Sequence, residues 1–355
     1  MKVLDLFSGV GGFALGLEYA GFDIRKFCEI EPHCRRVLSK NFPETPIEDD
    51  IKELSIKRGE YDLICGGFPC QDISIAGKNA GIHGEKSGLW SEYKRLINEG
   101  QPKYAIIENV FALLGRGIEV ILQDLAEIGY DATWTLYDSK YFGKPQRRRR
   151  VYIVAVRDGI PANCDIFENG LRDLKERRPE MEAFDKSFRW NFKEGEGDKH
   201  SFTFVTRQRS NEFKETGLSS TLAKRDYKSY TDLVLQDGII RRVIPQERML
   251  LQGFPADWLD NCGLTTKEMF TCNGMSVPVV RYIGRLIFHF DKQVSAPCGA
   301  EFYADGHYRV YDNSDMGSSI IHEGVRYPSV FSVNHLTSRG DYLDFRSTPC
   351  NKKRY

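Results

Sequence analysis

The sequence predicts an α/β protein built on a doubly wound, mostly parallel sheet. Five short runs rich in Val, Ile, Leu and aromatic residues are typical of parallel strands buried on both faces. These runs are residues 2–6, 23–29, 61–65, 103–108 and 151–156. Helical patterns lie between them, and the clearest covers 118–128, with i, i+3, i+4, i+7 spacing closed by Gly129. Such alternation indicates a doubly wound sheet, whose functional groups gather at the carboxyl ends of the strands.

Composition limits the classes of protein to consider. The hydrophobic fraction of 41% and the charged fraction of 28% are those of an ordinary globular protein. Fifty basic and fifty acidic residues cancel, so a basic face for nucleic acid would have to be local. No apolar run approaches the roughly 20 residues that cross a bilayer, so we expect no membrane partner. Nine cysteines without a repeated C-x-x-C spacing argue against disulfides and a metal site, and favour a reducing, cytoplasmic location.

The chain is long enough for one large domain and a smaller one. Residues 1–157 carry the strand and helix alternation, whereas 158–238 are polar, mixed in charge and irregular. Helical patterns return in 239–290, at Pro245–Gln252 and at 277–290. Residues 291–355 form an extension to which the sequence assigns no role.

A glycine-rich turn follows the first predicted strand and opens a helix. Gly9, Gly11 and Ala14 satisfy G-x-G-x-x-A, a pattern that lets the backbone approach a ligand closely. Glu29 lies about 20 residues further on, where an acid can hold ribose hydroxyls. NAD enzymes and adenosylmethionine enzymes share this geometry, and a turn without a ligand also remains open.

Two details of this region favour adenosylmethionine over a dinucleotide. Phe7 and Ser8 stand in the turn itself and provide an aromatic wall for an adenine or methionine portion. Asp50, within Asp49-Asp50-Ile51, follows a third strand, where a carboxylate can accept a hydrogen bond from an adenine amino group. Asp50 could equally cap a helix.

Two cysteines stand near the end of the fourth predicted strand, in I-C-G-G-F-P-C-Q. Cys65 lies within the apolar run and is expected to pack in the core. Cys70 follows Gly-Gly-Phe-Pro, so it should project from a rigid turn at the ligand-bearing edge. A cysteine attacks as a thiolate, so its surroundings must lower its pKa or supply a base. Cys70 is therefore the candidate nucleophile, although a lone Pro-Cys pair is weak support.

Three more polar side chains are predicted at the same edge of the sheet. Glu108 closes the fifth strand, and Arg148 and Arg150 lead directly into the last clear strand. Each has an ordinary alternative, because Glu108 could cap a helix or join an ion pair and the arginines could be solvated. A thiol, a carboxyl and two guanidiniums at one edge are harder to explain by chance than any one of them.

Five motifs in order resemble the DNA (cytosine-5)-methyltransferase family of bacterial and phage type. They are D-L-F-S-G-V-G-G-F from residue 5, G-G-F-P-C-Q-D-I-S from 66, E-N-V from 108, Q-R-R-R-R from 146 and R-R-V-I-P-Q-E-R-M-L-L-Q-G-F-P from 241. The resemblance covers roughly 2–157 and 239–290. It makes 1–157 the catalytic and cofactor-binding domain, 158–238 the target-recognition domain and 239–290 the late motifs, whose last helix returns to the catalytic domain.

The resemblance implies the Rossmann-like fold of class I adenosylmethionine-dependent methyltransferases and a sequence of chemical steps. The target cytosine is flipped from the duplex. Cys70 then adds to ring carbon 6, so that carbon 5 takes the methyl group of S-adenosyl-L-methionine. Glu108 would hydrogen-bond ring nitrogen 3 and the exocyclic amine. Arg150 would hold the carbonyl oxygen of the base, and Arg148 would support the same charge and the loop.

Further residues are expected, by the same resemblance, to bind the cofactor or DNA. The cofactor residues are Phe7, Ser8, Gly9, Gly11, Gly12, Glu29, Ile30, Asp50, Ile51, Pro69, Asn273 and Ser276. The DNA-binding residues are Gln71, Ser74 and Lys78 of a mobile loop, and Arg207, Arg209, Lys224 and Arg225 of the recognition segment. Ile30 stands where family members often have an aromatic residue, and Cys272 where Gly is usual.

Two other interpretations remain: a tRNA cytosine-5 methyltransferase, and a DNA-binding regulator that has lost catalysis. Gln71 after Pro-Cys favours DNA, and the intact Cys70, Glu108 and Arg150 argue against a silent regulator. We expect a monomer that methylates double-stranded DNA, either beside a separate cognate restriction endonuclease or as an orphan or phage methylase. Nothing in these residues predicts the base sequence that it recognises.

Overall fold

The computed structural model describes the greater part of the chain. The described residues are 1–69, 89–158, 166–167, 202–206, 214–228, 232–236, 238–295, 300–302, 308–311, 318–322 and 325–328. Cys70, Gln71, Ser74, Lys78, Arg207 and Arg209 lie outside them. The chain divides into two compact units, Met1–Arg285 and Leu286–Tyr355.

A seven-stranded sheet with the order β3-β2-β1-β4-β5-β7-β6 forms the centre of the first unit. Its strands are β1 Lys2–Leu6, β2 Asp23–Cys28, β3 Ile47–Glu48, β4 Leu63–Gly66, β5 Tyr104–Val110, β6 Tyr130–Asp138 and β7 Arg149–Arg157. The first five strands pair in parallel, and β7 pairs antiparallel with both β5 and β6. The predicted mostly parallel sheet is confirmed.

Helices connect the strands and follow the sheet. They are α1 Gly12–Glu18, α2 Pro32–Asn41, α3 Leu89–Gly100, α4 Ile118–Glu127, α5 Pro245–Gln252, α6 Thr266–Thr271 and α7 Val277–Ser295. Short 3₁₀ helices cover Phe111–Gly115, Ser139–Phe142 and Lys224–Tyr227. None of the helices in the described part of the chain has the length and apolar character to span a membrane.

The sheet separates two hydrophobic cores, as a doubly wound fold requires. Neighbouring residues of β2 point to opposite faces, so Phe27 and Cys28 belong to different cores. One core packs α3 and α4 on the sheet, and the other packs α1 and α2 with α5 and the start of α7. Close packing of α1 on α7 depends on Gly16, where a Cβ would meet the Val280 side chain at 2.7 Å.

A second sheet has the order β11-β10-β8-β9, and three of its strands lie in 158–238, the segment predicted to recognise the target, while β11 lies just beyond it. Its strands are β8 Phe202–Thr206, β9 Lys214–Thr216, β10 Asp232–Gln236 and β11 Ile239–Arg242. The chain just after β9 binds the chain just before β7 through backbone hydrogen bonds. Arg147 N donates to Ser219 O at 2.8 Å, and Ser219 N donates to Pro145 O at 2.8 Å. The Q-R-R-R-R run is therefore the attachment point of this segment.

The second unit contains a four-stranded antiparallel sheet with the order β12-β13-β14-β15. Its strands are β12 Ala300–Phe302, β13 Tyr308–Tyr311, β14 Ser318–His322 and β15 Val325–Pro328. This sheet occupies part of the extension 291–355, for which the sequence analysis predicts no role.

A buried ion pair joins the 3₁₀ helix Lys224–Tyr227 to α5. Arg248 Nη1 lies 2.8 Å from Asp226 Oδ2, and the two side chains are only 2% and 8% exposed. Arg248 also donates to the carbonyl oxygens of Ala223 and Phe270. Because the guanidinium has no access to water, its charge depends on the Asp226 carboxylate.

We predict that Asp226→Asn lowers the free energy of unfolding by about 3 kcal/mol, because it leaves a buried guanidinium without its counter-ion. Urea unfolding followed by tryptophan fluorescence measures the loss. Asp23→Asn is the control, since Asp23 pairs with Arg25 in solvent and should change stability by less than about 1 kcal/mol. Equal losses in the two variants would contradict the importance of the buried pair.

Candidate active site

A cavity of about 560 Å³ opens at the carboxyl edge of the large sheet. It lies where the strand order reverses between β1 and β4, the switch point at which doubly wound folds bind ligands. Its lining residues follow the ends of five parallel strands: Phe7 and Gly9 after β1, Glu29 and Ile30 after β2, Asp49, Asp50 and Ile51 after β3, Gly67, Phe68 and Pro69 after β4, and Glu108, Asn109 and Val110 at the end of β5. Arg148, Arg150, Thr271, Asn273, Gly274 and Met275 also contribute to the lining.

The turn after β1 brings backbone to the cavity wall. Phe7 has a φ of 53° and Gly9 a φ of 56°, both in the left-handed region that side chains rarely adopt. A non-glycine residue held there is a strained conformation of the kind that clusters at binding sites. Ser8 is buried behind the turn and donates its hydroxyl to Asp5 O at 2.7 Å. The turn therefore presents Phe7 and Gly9 to the cavity and anchors itself through Ser8.

The Glu29 carboxylate is oriented by two backbone amides. Gly9 N donates to Glu29 Oε2 at 2.7 Å, and Glu31 N donates to Glu29 Oε1 at 2.8 Å. The two bonds fix the orientation of the carboxylate, which lines the cavity at the end of β2. This placement matches an acid that accepts ribose hydroxyls.

The rest of this half of the cavity combines apolar and polar groups. Ile30 is 65% exposed on the cavity wall, in the place where an adenine ring would find an apolar surface. Asn273 Nδ2 donates to Leu222 O at 3.1 Å, while its Oδ1 is buried without a hydrogen-bond partner. An oriented carboxylate, an apolar wall and an unpaired amide oxygen fit the ribose, adenine and amino groups of S-adenosyl-L-methionine.

Four residues of the predicted cofactor set do not line the cavity. Ser8, Gly11, Gly12 and Ser276 lie behind it, and all four are buried. Gly12 explains why: a Cβ there would meet Met275 N at 2.6 Å, so the glycine lets the first turn of α1 pack on the loop before α7. Gly12 is therefore required in the motif because two walls of the cavity pack closely together there.

The other half of the cavity holds an acid between two guanidinium groups. Glu108 is 5% exposed, and its Oε1 lies 3.0 Å from Arg150 Nε. Burial raises the pKa of Glu108 above its ordinary value, while the charges of Arg150 and Arg148 oppose that rise. The carboxyl therefore holds its proton to a higher pH than an exposed glutamic acid does. Pro69, the residue before Cys70, lines the same cavity.

The direction of β7 explains how the arginines reach this edge. A parallel strand would place the residues before it at the opposite, amino edge of the sheet. Because β7 is antiparallel, Val110 at the end of β5 pairs with Arg150 at the start of β7. The predicted convergence of Glu108, Arg148 and Arg150 is therefore observed, and it rests on a strand direction that the sequence pattern did not indicate.

Comparisons with known proteins agree with this geometry. Residues 1–289 match the family described as C-5 cytosine-specific DNA methylase. The chain belongs to this family. Among its relatives, the type II methyltransferase M2.BsuMI of Bacillus subtilis is 34% identical, over 80% of this chain and 74% of that protein. The type II methyltransferase M.NgoBI of Neisseria gonorrhoeae is 31% identical, over 81% and 94%.

Solved structures show the same fold. The S. pombe Dnmt2 methyltransferase superposes with a TM-score of 0.62 at 17% identity, over 83% of this chain and all of that one. The chain is thus a DNA (cytosine-5)-methyltransferase, and S-adenosyl-L-methionine is the methyl donor of its family. The match ends at residue 289, so the sheet β12–β15 lies outside it.

Two residues that support the methyltransferase site were missed by the sequence analysis. Asn109 Nδ2 donates to Phe68 O at 3.3 Å and so ties the turn before Cys70 to the end of β5. Gln252, fully buried, accepts from Gly274 N at 2.7 Å through Oε1, while Arg148 Nη2 donates to Gly274 O at 3.0 Å. Both residues stand inside quoted motifs, E-N-V and L-Q-G-F-P, and their positions there were the only signal.

The cysteines in the described part of the chain are all buried. Cys65 is fully buried, and burial raises the pKa of its thiol well above the ordinary value. Its predicted place in the core is confirmed. Burial likewise raises the pKa of Cys28 to about 12. Cys272 is fully buried in the same core as Cys34, and the Cys272 thiol raises the pKa of Cys34 further. A raised pKa makes the thiols of Cys28, Cys34 and Cys65 poor nucleophiles at neutral pH.

The backbone at Cys272 does not require the glycine that is usual in the family. Its φ is −60° and its ψ 110°, values that any residue adopts without strain. The side chain then fills space beside Cys34. The departure from the family pattern is a packing solution, and the path of the loop that leads to Asn273 is compatible with it.

We predict that Cys272→Gly lowers the free energy of unfolding by about 1–2 kcal/mol, since it adds backbone freedom and removes a buried side chain. Urea unfolding measures the change. Cys272→Ala is the matched control, and it should cost less because it keeps the Cβ. A glycine variant as stable as the parent protein would show that the side chain contributes no packing.

Proposed function

We propose that Cys70, Glu108, Arg148 and Arg150 act together on a cytosine flipped from duplex DNA into the cavity. The observation that carries this proposal is the Glu108–Arg150 pair, which shares one cavity with Pro69 and with the oriented Glu29 carboxylate. An acid and a cation face one end of the cavity, and a cofactor-sized polar pocket forms the other. This arrangement suits methyl transfer from a donor bound at one end of the cavity to a base bound at the other.

The residues around Glu29 would hold the methyl donor. Glu29 accepts from the ribose hydroxyls, Asp50 from the adenine amino group, and Ile30 packs against the ring. Phe7, Gly9, Ile51, Pro69 and Asn273 complete the pocket, and Ser8, Gly11, Gly12 and Ser276 support its walls. When bound, S-adenosyl-L-methionine supplies an electrophilic methyl group. The chain's own residues make the cytosine ring nucleophilic enough to take it.

Cys70 is the nucleophile in this proposal. Its thiolate forms a bond to carbon 6 of the base, which breaks the 5,6 double bond and leaves carbon 5 electron-rich. Carbon 5 then takes the methyl group. A base removes the proton from carbon 5, the double bond re-forms, and the Cys70 thiolate leaves. The positive groups at this edge, Arg148 and Arg150, favour the thiolate form.

Glu108 and Arg150 would carry the charge that develops on the ring. The protonated Glu108 carboxyl donates to ring nitrogen 3 and accepts from the exocyclic amine, and its raised pKa keeps the proton available. Arg150 leaves its ion pair with Glu108 when the base enters and binds the base carbonyl oxygen. Positioned donors of this kind contribute roughly 10² to 10³ in rate. Arg148 keeps its bond to Gly274 O and adds positive charge beside Glu108.

The segment 158–238 would recognise the target sequence. Its sheet is fastened to the chain just before β7, so a base pair read there lies beside the catalytic cavity. Gln71, Ser74, Lys78, Arg207, Arg209, Lys224 and Arg225 remain the proposed DNA contacts, and their residue types suit phosphates and guanine edges. The relatives' names support a modification enzyme. We propose that it acts as a monomer in the cytoplasm, apart from any endonuclease.

The proposed function is tested by transfer of tritiated methyl groups from S-adenosyl-L-methionine. The protein should label duplex DNA of mixed sequence and leave tRNA unlabelled. Cys70→Ser should abolish labelling and retain cofactor binding by calorimetry, because the serine hydroxyl is not ionised at neutral pH. Labelled tRNA would reassign the substrate. Loss of cofactor binding in Cys70→Ser would place this residue in the cofactor pocket instead.

The pH dependence of the reaction should report on Glu108. Because only the protonated carboxyl can donate to the ring, kcat falls as the pH rises through the raised pKa of Glu108. Glu108→Gln keeps an N–H donor and a C=O acceptor but cannot transfer a proton to the ring, so kcat should drop about 10²- to 10⁴-fold. Its remaining activity should lack the decline at high pH. The same decline in the variant would show that another group causes it.

A further inference from the structure

The run of four arginines before and within β7 has two faces. Arg148 is buried and Arg150 half-buried, and both line the cavity. Arg147 and Arg149 alternate with them and are exposed, as the two-residue period of an extended chain requires. The proposed chemistry uses only the inward pair.

Arg149 is held over an exposed aromatic ring. Phe111 begins the 3₁₀ helix that follows β5 and is 48% exposed. The Arg149 guanidinium carbon lies 4.6 Å from the centre of its ring. The contact follows from the register, since Val110 pairs with Arg150 and places Phe111 beside Arg149. Stacking of this kind orients a guanidinium without neutralising it.

Both exposed arginines lie between the cavity and the recognition sheet. Val110, the residue before Phe111, lines the cavity. Arg147 adjoins the recognition segment, because its carbonyl accepts from Thr221 Oγ1 at 2.7 Å. Arg147 and Arg149 thus form a strip that adjoins both the cavity and the segment carrying the recognition sheet, and a duplex that engages both would pass beside this strip.

The positive charge of the strip formed by Arg147 and Arg149 suits binding of a polyanion. The protein has equal numbers of acidic and basic residues, so a cationic strip is a local feature. Asp138, which pairs with Arg149 across the sheet, is buried, and its Oδ1 accepts from Arg148 N at 2.9 Å. Within the described residues, the Arg149 guanidinium has a ring beneath it and no carboxylate partner.

We propose that Arg149, oriented by the Phe111 ring, binds a DNA phosphate beside the flipped cytosine, and that Arg147 binds a second phosphate towards the recognition sheet. The proposal rests on entry of the flipped base into the cavity. Neither residue touches the base or the cofactor, so both act on DNA affinity.

The test is the salt dependence of duplex DNA binding by Arg149→Gln, Arg147→Gln and the double variant. Each lost phosphate contact reduces the slope of log K against log salt by about 0.9. Each single variant should therefore lose about one unit of slope, and the double variant about two. At about 0.1 M salt, we expect each single change to weaken binding roughly 5- to 10-fold. Cofactor binding by calorimetry should stay that of the parent.

A matched control lies on another part of the surface. Tyr19, 49% exposed at the end of α1, carries the Arg281 guanidinium 5.8 Å above its ring. The helix α1 starts at the cavity edge, so its end is directed away from the cavity. Arg281→Gln removes a stacked guanidinium and should leave both affinity and slope unchanged.

Phe111→Ala measures the contribution of the ring separately from that of the arginine charges. It keeps both arginines, so the slope should stay at the parent value while affinity falls about 2- to 5-fold. Tyr19→Ala is its control and should have no effect. An affinity unchanged in Phe111→Ala would remove the ring from the proposal.

If Arg149→Gln has the same slope of log K against log salt as the parent protein, the proposed phosphate contact is wrong, provided that the parent protein labels DNA. If the parent protein labels no DNA, the proposed function fails instead, and the two failures are therefore distinct.

Discussion

The antiparallel pairing of β7 with β5 is the constraint on which the site depends. It brings the start of β7 to the edge where the parallel strands end, so the arginines face Glu108 and not the far side of the sheet. The same pairing fixes which arginines turn inward, because side chains alternate along the strand. It also exposes the chain before β7 to the segment 219–221, which attaches the sheet β8–β11 that we propose recognises the target. Acid, cations and recognition segment are thus arranged by one pair of strands.

Burial then sets the chemistry of that arrangement. Glu108 is enclosed at the end of a fully buried strand, so its proton is retained more strongly than in water. The guanidiniums that face Glu108 offset the free-energy cost of burying its charged form, since an isolated buried charge is very costly. Glu29, at the other end of the cavity, is oriented by two backbone amides that donate to its carboxylate oxygens. One cavity therefore holds a carboxyl suited to giving a proton and a carboxylate suited to accepting hydrogen bonds.

The sequence was sufficient for the parallel part of the sheet and for most of the cavity wall, because apolar runs and strand ends are local signals. It failed at β6, whose pattern alternates between exposed and buried residues at the edge of the sheet and so lacks a continuous apolar run. It also could not separate residues that line the cavity from those that support it, such as Gly12, since that distinction depends on the distant Met275. Gln252 had no visible role for the same reason: its partner, Gly274, is remote along the chain.

The loop before α7 has a consequence for the order of events. The Asn273 side chain donates to Leu222 O in the proposed recognition segment, and the next residue, Gly274, accepts from Arg148 through its carbonyl oxygen. A shift of the recognition segment as it grips a duplex would pull on one wall of the methyl-donor pocket and on the guanidinium beside Glu108 at the same time. Recognition of the DNA sequence, binding of the methyl donor and activation of the base would then be coupled through the loop before α7. An ill-fitting DNA site would be penalised in the rate of transfer as well as in affinity.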